Sequence, residues 1–274
     1  MTTFSGYGLD YDSSTSAWIW TLSGAGSLEL HVAICAFYCV SVYALQKYVA
    51  AKSAEEMKAM RAAWRMDLVK WWHNILLSLV SLIMAVVMLF SVYQDGRFSS
   101  WHSMTCRNTP NTGAYGLANW VYLWSKIWEW MDTYWLVLYG KKVIPLHAFH
   151  HMTTFTMAAF THNFPVGGYA FLNAVVHFVM YLHYSHPVRW ARPFITASQL
   201  VQFVCVISVH TFGYLQTADD CFDFSKVGRE WWYCQSVVVG YFVLFCKFFV
   251  DNYVPKGAGA DTDTSKKSGR AKVE

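Results

Sequence analysis

The chain has 274 residues, of which 55% are hydrophobic, 18% aromatic and only 14% charged, with a mean hydropathy of +0.24. A soluble domain of this length carries roughly 25% charged residues, so a water-soluble globule is excluded and a polytopic helical membrane protein is expected. The formal net charge of +4 decides little, but the basic residues lie in loops and tail rather than interleaved with aromatics, which speaks against nucleic acid.

Met1 to Ser16 is polar and lacks the basic n-region of a cleavable signal peptide. Apolar stretches then predict seven spans, at roughly 28–46, 71–93, 117–139, 144–162, 166–184, 194–215 and 231–252. The period-two alternation of a membrane barrel is missing. The longer connections are 47–70 and 94–116, and the expected organisation is a single domain at 1–254 with a disordered basic tail at 255–274. Lys and Arg set the orientation. One side holds Lys47, Lys52, Lys58, Arg61, Arg65, Lys70, Lys141, Lys142, Arg189, Arg192 and the tail residues Lys256, Lys266, Lys267, Arg270 and Lys272. The other holds only Arg97, Arg107, Lys226 and Arg229, so the N-terminus is expected in the lumen and the tail in the cytosol. Seven cysteines show no CxxC spacing. Cys106 and Cys221 fall on the lumenal side, where they either pair or remain two free thiols.

Span three carries Lys126, Glu129, Asp132 and Thr133 at i, i+3, i+6 and i+7, one face of a helix. A cation, two carboxylates and a hydroxyl cannot face lipid, so this face points into the bundle, as a reactive site or as a salt-bridge network holding helices together. Span four opens with His147, His150 and His151, again on one face; clustered imidazoles serve metal ligation, nucleophilic catalysis or proton transfer. Span five adds the stripe Asn173, His177, Tyr181 and Tyr184, and span six opens with Thr196, Gln199 and Gln202, whose amides bind a ligand or simply bridge helices. His73 and Asn74 on span two form a weaker set of the same kind. With the orientation above, these groups converge at one depth. They predict a pocket open to the cytosol, rimmed by Lys141, Lys142, Arg189 and Arg192, which suits a phosphate-bearing thioester. The lumenal half beyond it is apolar (Phe155, Met157, Phe160, Val206, Ile207) and either holds a fatty chain or is packed core.

These residues resemble the ELO family of very-long-chain fatty-acid elongases. Lys126-x-x-Glu129-x-x-Asp132-Thr133, His147-x-x-His150-His151, His177-x-x-Met180-Tyr181-x-His183-Tyr184 and Thr196-x-x-Gln199-x-x-Gln202 are similar to its boxes KxxExxDT, HxxHH, HxxMYxYY and TxxQxxQ, in family order; His183 stands where the family usually has Tyr. The resemblance implies seven transmembrane helices, six forming a barrel around a narrow acyl tunnel open to the cytosol. It implies condensation of acyl-CoA with malonyl-CoA to 3-oxoacyl-CoA, CoA and CO2, with no metal or organic cofactor. By the same resemblance His150 is the nucleophile, with His147, His151 and His177 handling protons. Glu129 and Asp132 would orient histidines, Lys126 would balance them or meet the thioester, and Asn173 would support the enolate. The implied partners are the ketoacyl reductase, dehydratase and enoyl reductase of the elongation cycle, in the endoplasmic reticulum membrane. Arg270 and Lys272 resemble a retrieval signal to that membrane, although a merely solvated basic tail fits equally. The expected substrate is a polyunsaturated C18–C20 acyl-CoA, with saturated or monounsaturated chains as the alternative.

Two other readings compete. A di-iron desaturase or hydroxylase also uses HxxHH but repeats its histidine boxes, whereas His31, His73, His102, His162 and His210 are scattered here. A seven-span receptor or transporter would use intramembrane charges for a ligand or ion, but it leaves four consecutive polar helix faces at one depth unexplained.

Overall fold

The computed structural model describes residues 9–12, 17–20, 28–107, 109, 111–161, 170–216, 221 and 224–255. The tail beyond Pro255 therefore lies outside the described residues, as does His162. The first segment contains an antiparallel hairpin that the hydropathy pattern did not predict, β1 (Leu9–Asp12) paired with β2 (Ala17–Trp20) in the register Leu9 to Trp20. The remaining described elements are helical.

Helix α1 (Leu28–Ala50) leads into the short surface helix α2 (Ala54–Ala63). Ser53 and Glu56 close a capping box at the start of α2, and the Ser53 backbone N–H donating to the Glu56 carboxylate holds that carboxyl below its usual range. Helix α3 (Met66–Gln94) buries His73, Asn74, Leu77, Ser78, Ser81, Met84, Ala85 and Met88. Small residues at this spacing let a neighbour approach closely: Ser78 Oγ donates to Phe178 O at 3.0 Å. After the short α4 (Trp101–Cys106), span three departs from expectation. It is two helices, α5 (Gly113–Trp128) and α6 (Trp130–Leu138), broken at Glu129. The Asp132 N–H bonds back to Glu129 O at 3.0 Å, a tightened i to i+3 turn where the Glu129 side chain is drawn toward Ser125 and Lys126.

Helices α7 (Pro145–Thr161) and α8 (Ala170–Ser185) have 17 and 16 residues, and α9 (Ala191–Leu215) and α10 (Phe224–Tyr253) have 25 and 30. Among the described residues four stretches are long and apolar enough to cross a membrane: Glu29–Ala50, Met66–Gln94, Ala191–Leu215 and Gly228–Tyr253. Over their described residues α7 and α8 reach roughly 25 Å, against a hydrocarbon layer of ~30 Å, and are not among these four. The chain is a multi-pass membrane protein. Its helices neighbour one another in the order α3, α5, α7, α10, α9, α8 and back to α3, while α1 lies outside against α6 and α7. Phe155, Ala158, Ala159, Leu123, Met84 and Met88 pack at the centre of the larger core.

Cys106 and Cys221 are joined as a disulfide, 115 residues apart in sequence, tying the end of α4 to the residues before α10. Closing a loop of that length restricts the unfolded chain by about 4–5 kcal/mol in the chain-entropy account, an upper bound for helices already confined to a bilayer. We therefore expect Cys106→Ser to lower the thermal midpoint of the detergent-solubilised protein by several degrees. An unchanged midpoint, read by tryptophan fluorescence, would show that the bridge adds no stability.

Candidate active site

Helices α3, α5, α6, α7 and α8 bring the motif side chains together, and the break at Glu129 divides them into three groups. The first surrounds Glu129. Its Oε1 accepts from Lys126 Nζ at 2.8 Å and Ser125 Oγ at 3.2 Å, and His177 Nδ1 lies 3.3 Å away. Lys126 Nζ also donates to Asn173 Oδ1 at 3.0 Å, an oxygen shared with Tyr122 OH at 3.1 Å. Lys126 and Glu129 are 3% and 2% exposed, so this is a fully buried ion pair whose charges survive only because each is bonded. Glu129 Oε2, by contrast, has no hydrogen-bond partner among the described residues.

The second group is centred on Asp132. Its Oδ1 lies 3.0 Å from His73 Nε2 and its Oδ2 accepts from Tyr181 OH at 2.6 Å. A carboxylate bonded to one ring nitrogen fixes the tautomer and orientation of that imidazole. The third group places the histidine box. His147 Nε2 is 2.9 Å from Thr133 Oγ1, itself 2.9 Å from Tyr38 OH on α1. The His147 and His151 rings are 4.4 Å apart between centroids, and His150 and His151 are 5.2 Å apart. Trp130 Nε1 donates to His151 O, pinning α6 to α7 at 2.9 Å.

A cavity opens beside these groups, lined by Lys126, Tyr122, Asn173 and His150. It continues along α7 past Thr154, Met157 and Thr161 and along α9 past Gln202, Phe203, Val206 and His210. From residue 150 to 161, α7 rises roughly 16 Å. Thr154 Oγ1 is buried with no hydrogen-bond partner among the described residues.

Some expected residues sit elsewhere. Of Thr196, Gln199 and Gln202, only Gln202 lines the cavity: Thr196 Oγ1 donates to Arg192 O in its own helix, and Gln199 Nε2 reaches Met180 Sδ at 3.6 Å. Tyr184 shares a helical face with His177 but emerges from the last turn of α8, 47% exposed, where its ring meets that of Tyr181. Lys141, Lys142 and Arg189 are exposed in the turns between helices, and Arg192 is half-buried in the first turn of α9; none lines the cavity. His183 Nδ1 accepts the Val188 N–H at 3.2 Å and so closes the turn after α8, away from the cavity. Conversely, Tyr122, Tyr38, Thr154, His210 and Tyr241 stand at or behind the cavity although no motif contains them. Among the described residues no three His, Cys, Asp or Glu side chains are grouped so as to hold a metal ion.

The GNS1/SUR4 family, ELO, matches residues 25–261. The chain belongs to the ELO family. Long chain fatty acid elongase 2 of Caenorhabditis elegans is 32% identical over 250 residues, covering 84% of this chain and 84% of that protein. Very long chain fatty acid elongase 5 of Mus musculus is 27% identical over 248 residues, 84% of this chain and 78% of its own length. Fatty acid elongase A of Dictyostelium discoideum is 25% identical over 236 residues, 82% and 83%. As an ELO protein with several apolar helices, the chain falls within membrane-bound fatty acid elongation.

Proposed function

We propose that this ELO protein condenses a long-chain acyl-CoA with malonyl-CoA, giving a 3-oxoacyl-CoA two carbons longer, CoA and CO2. The observation that carries this reading is one cavity, which His150, Lys126 and Asn173 line together with the apolar residues Met157, Phe203 and Val206 of α7 and α9. The cyclic order of helix neighbours supports a seven-span plan in which six helices form a barrel around that cavity.

In the first half-reaction a ring nitrogen of neutral His150 attacks the thioester carbonyl. The C–S bond breaks, CoA thiolate leaves and takes a proton, and an acyl-imidazole remains. In the second, the C–C bond to the malonyl carboxylate breaks and CO2 departs. The electron pair becomes an enolate that attacks the acyl carbon; the C–N bond breaks and the departing His150 ring takes up a proton through the neighbouring histidines. His177, held by Glu129, and Asn173, held by Lys126 and Tyr122, supply hydrogen bonds to developing oxyanions. His147, fixed through Thr133, and His151 move protons. Asp132 positions His73 and Tyr181 behind them. No metal or organic cofactor enters this scheme, and the ligand clusters of a di-iron enzyme have no counterpart among the described residues.

The substrate we infer is a polyunsaturated C18–C20 acyl-CoA rather than a saturated or monounsaturated one. The Thr154 hydroxyl, which has no hydrogen-bond partner among the described residues, lines the cavity beside the apolar Met157. The π-electrons of a cis double bond accept a weak O–H hydrogen bond there, which a saturated chain cannot. The Lys/Arg distribution supports a lumenal N-terminus and a cytosolic tail in the endoplasmic reticulum membrane, with Lys141, Lys142, Arg189 and Arg192 near the entrance for CoA phosphates. The 3-oxo product calls for a ketoacyl reductase, a dehydratase and an enoyl reductase as partners. Feeding a panel of C16–C22 free fatty acids to a host expressing the chain should yield two-carbon-extended products chiefly from the polyunsaturated C18–C20 members. Extension of saturated chains alone would refute the substrate class, and extension of none would refute the function.

A further inference from the structure

Helix α10 contains none of the polar motifs, yet it forms the cavity wall at the level of His150. It approaches α7 closely there, for a Cβ on Gly240 would come within 3.4 Å of Phe149 Cε1. The next residue, Tyr241, is 1% exposed and lines the cavity beside His150 and Phe203. Its ring centroid is 5.0 Å from that of His150, and 5.5 and 5.9 Å from those of Phe149 and Phe203. Its phenol oxygen is 2.6 Å from Thr153 Oγ1 and 3.3 Å from His150 O.

Counting protons assigns these bonds. The single hydroxyl proton of Thr153 goes to Phe149 O at 2.7 Å. Tyr241 must then be the donor, to Thr153 Oγ1 first and to His150 O as a second, longer acceptor. Its proton is thus committed to the protein and is not offered to substrate. What it does is tie α10 to the turn of α7 spanning residues 149–153, while its ring closes one side of the space in which the His150 imidazole can rotate.

We propose that Tyr241 is a positioning residue, holding the His150 imidazole in the orientation from which it attacks the thioester. The proposal rests on the reading of His150 as nucleophile. Attack on a carbonyl needs the nitrogen lone pair aligned at near-contact distance, and misplacement by about 1 Å lowers the rate by about 10²-fold. An imidazole flanked by empty space would spend most of its time misaligned. The phenol ring and its hydroxyl remove that freedom separately, so two variants resolve them.

The test is single-turnover acylation of the purified full-length protein in detergent by radiolabelled long-chain acyl-CoA, without malonyl-CoA, for wild type, Tyr241→Phe, Tyr241→Leu and His150→Ala. Tyr241→Phe should slow the acylation rate constant by about 3- to 10-fold with unchanged half-saturation by acyl-CoA, and Tyr241→Leu by about 10²-fold. His150→Ala should remain unlabelled. The proposal is overturned if both Tyr241 variants acylate at the wild-type rate while His150→Ala does not label. It is equally overturned if Tyr241→Phe lowers only the labelled fraction and leaves the rate constant intact, because that reports lost folded protein rather than lost alignment. If Tyr241→Leu does not fold, Tyr241→Phe alone decides. Normal labelling of His150→Ala would refute the nucleophile reading itself, an outcome distinct from the others.

Discussion

Replacing His150 by alanine should reduce incorporation of labelled malonyl-CoA into 3-oxoacyl product by at least about 10³-fold in microsomes expressing the chain. The size of the effect follows from the role: without the ring there is no acyl-imidazole, and direct attack of the enolate on the thioester must replace a two-step path. The neighbouring rings cannot substitute. His147 is held by Thr133 at 2.9 Å, and His151 is buried behind it, with its ring 4.4 Å from that of His147; neither lines the cavity. Folding should be little affected, because the hydrogen bond His150 makes with Tyr241 uses its backbone carbonyl, which alanine retains. Incorporation at more than about a tenth of the wild-type rate would remove His150 from the chemistry.

The second large effect concerns Lys126 and Glu129. A buried ion pair can be mere glue between helices, and removing one partner destabilises in either case. Lys126→Met leaves the Glu129 carboxylate with only Ser125 and His177 nearby and no formal cation, at a cost of about 3–5 kcal/mol. The double variant Lys126→Met with Glu129→Gln removes both charges, and most of that loss should return. Activity is what separates the readings. The double variant should stay inactive, because Asn173 keeps Tyr122 but loses the cationic one of its two donors, and His177 loses its anionic partner. A double variant that regains both its thermal midpoint and its condensation rate would reduce the network to a structural bridge.

The grouping of polar residues by helix was legible in the sequence, and their partners were not. Lys126, Glu129, Asp132 and Thr133 have the spacing of a single face, which on a continuous helix would point at a single neighbour. The tightened turn at Glu129 divides that face: Glu129 meets His177 on α8, Asp132 meets His73 on α3 as well as Tyr181, and Thr133 meets His147 on α7. Periodicity carries no sign of such a turn, because the residues around it remain apolar and helix-forming. Tyr241 and Tyr38 were missed for a related reason. Each is one of several aromatics in its helix, and only packing distinguishes the one that lies against an imidazole or a motif hydroxyl. Tyr184 misled in the opposite sense, since it has the right phase but lies in the last turn of α8 and projects past the packed region.

The account depends on a covalent acyl group on the histidine box, and mass spectrometry reads this directly. The purified protein is incubated with a polyunsaturated C18 acyl-CoA in the absence of malonyl-CoA and digested under conditions that preserve acyl-imidazoles. The account predicts an added acyl mass on the peptide containing His147 to His151, assigned by fragmentation to His150 and discharged when malonyl-CoA is added. An acyl group on a cysteine, or condensation that proceeds with no acylated peptide at any time, would contradict it.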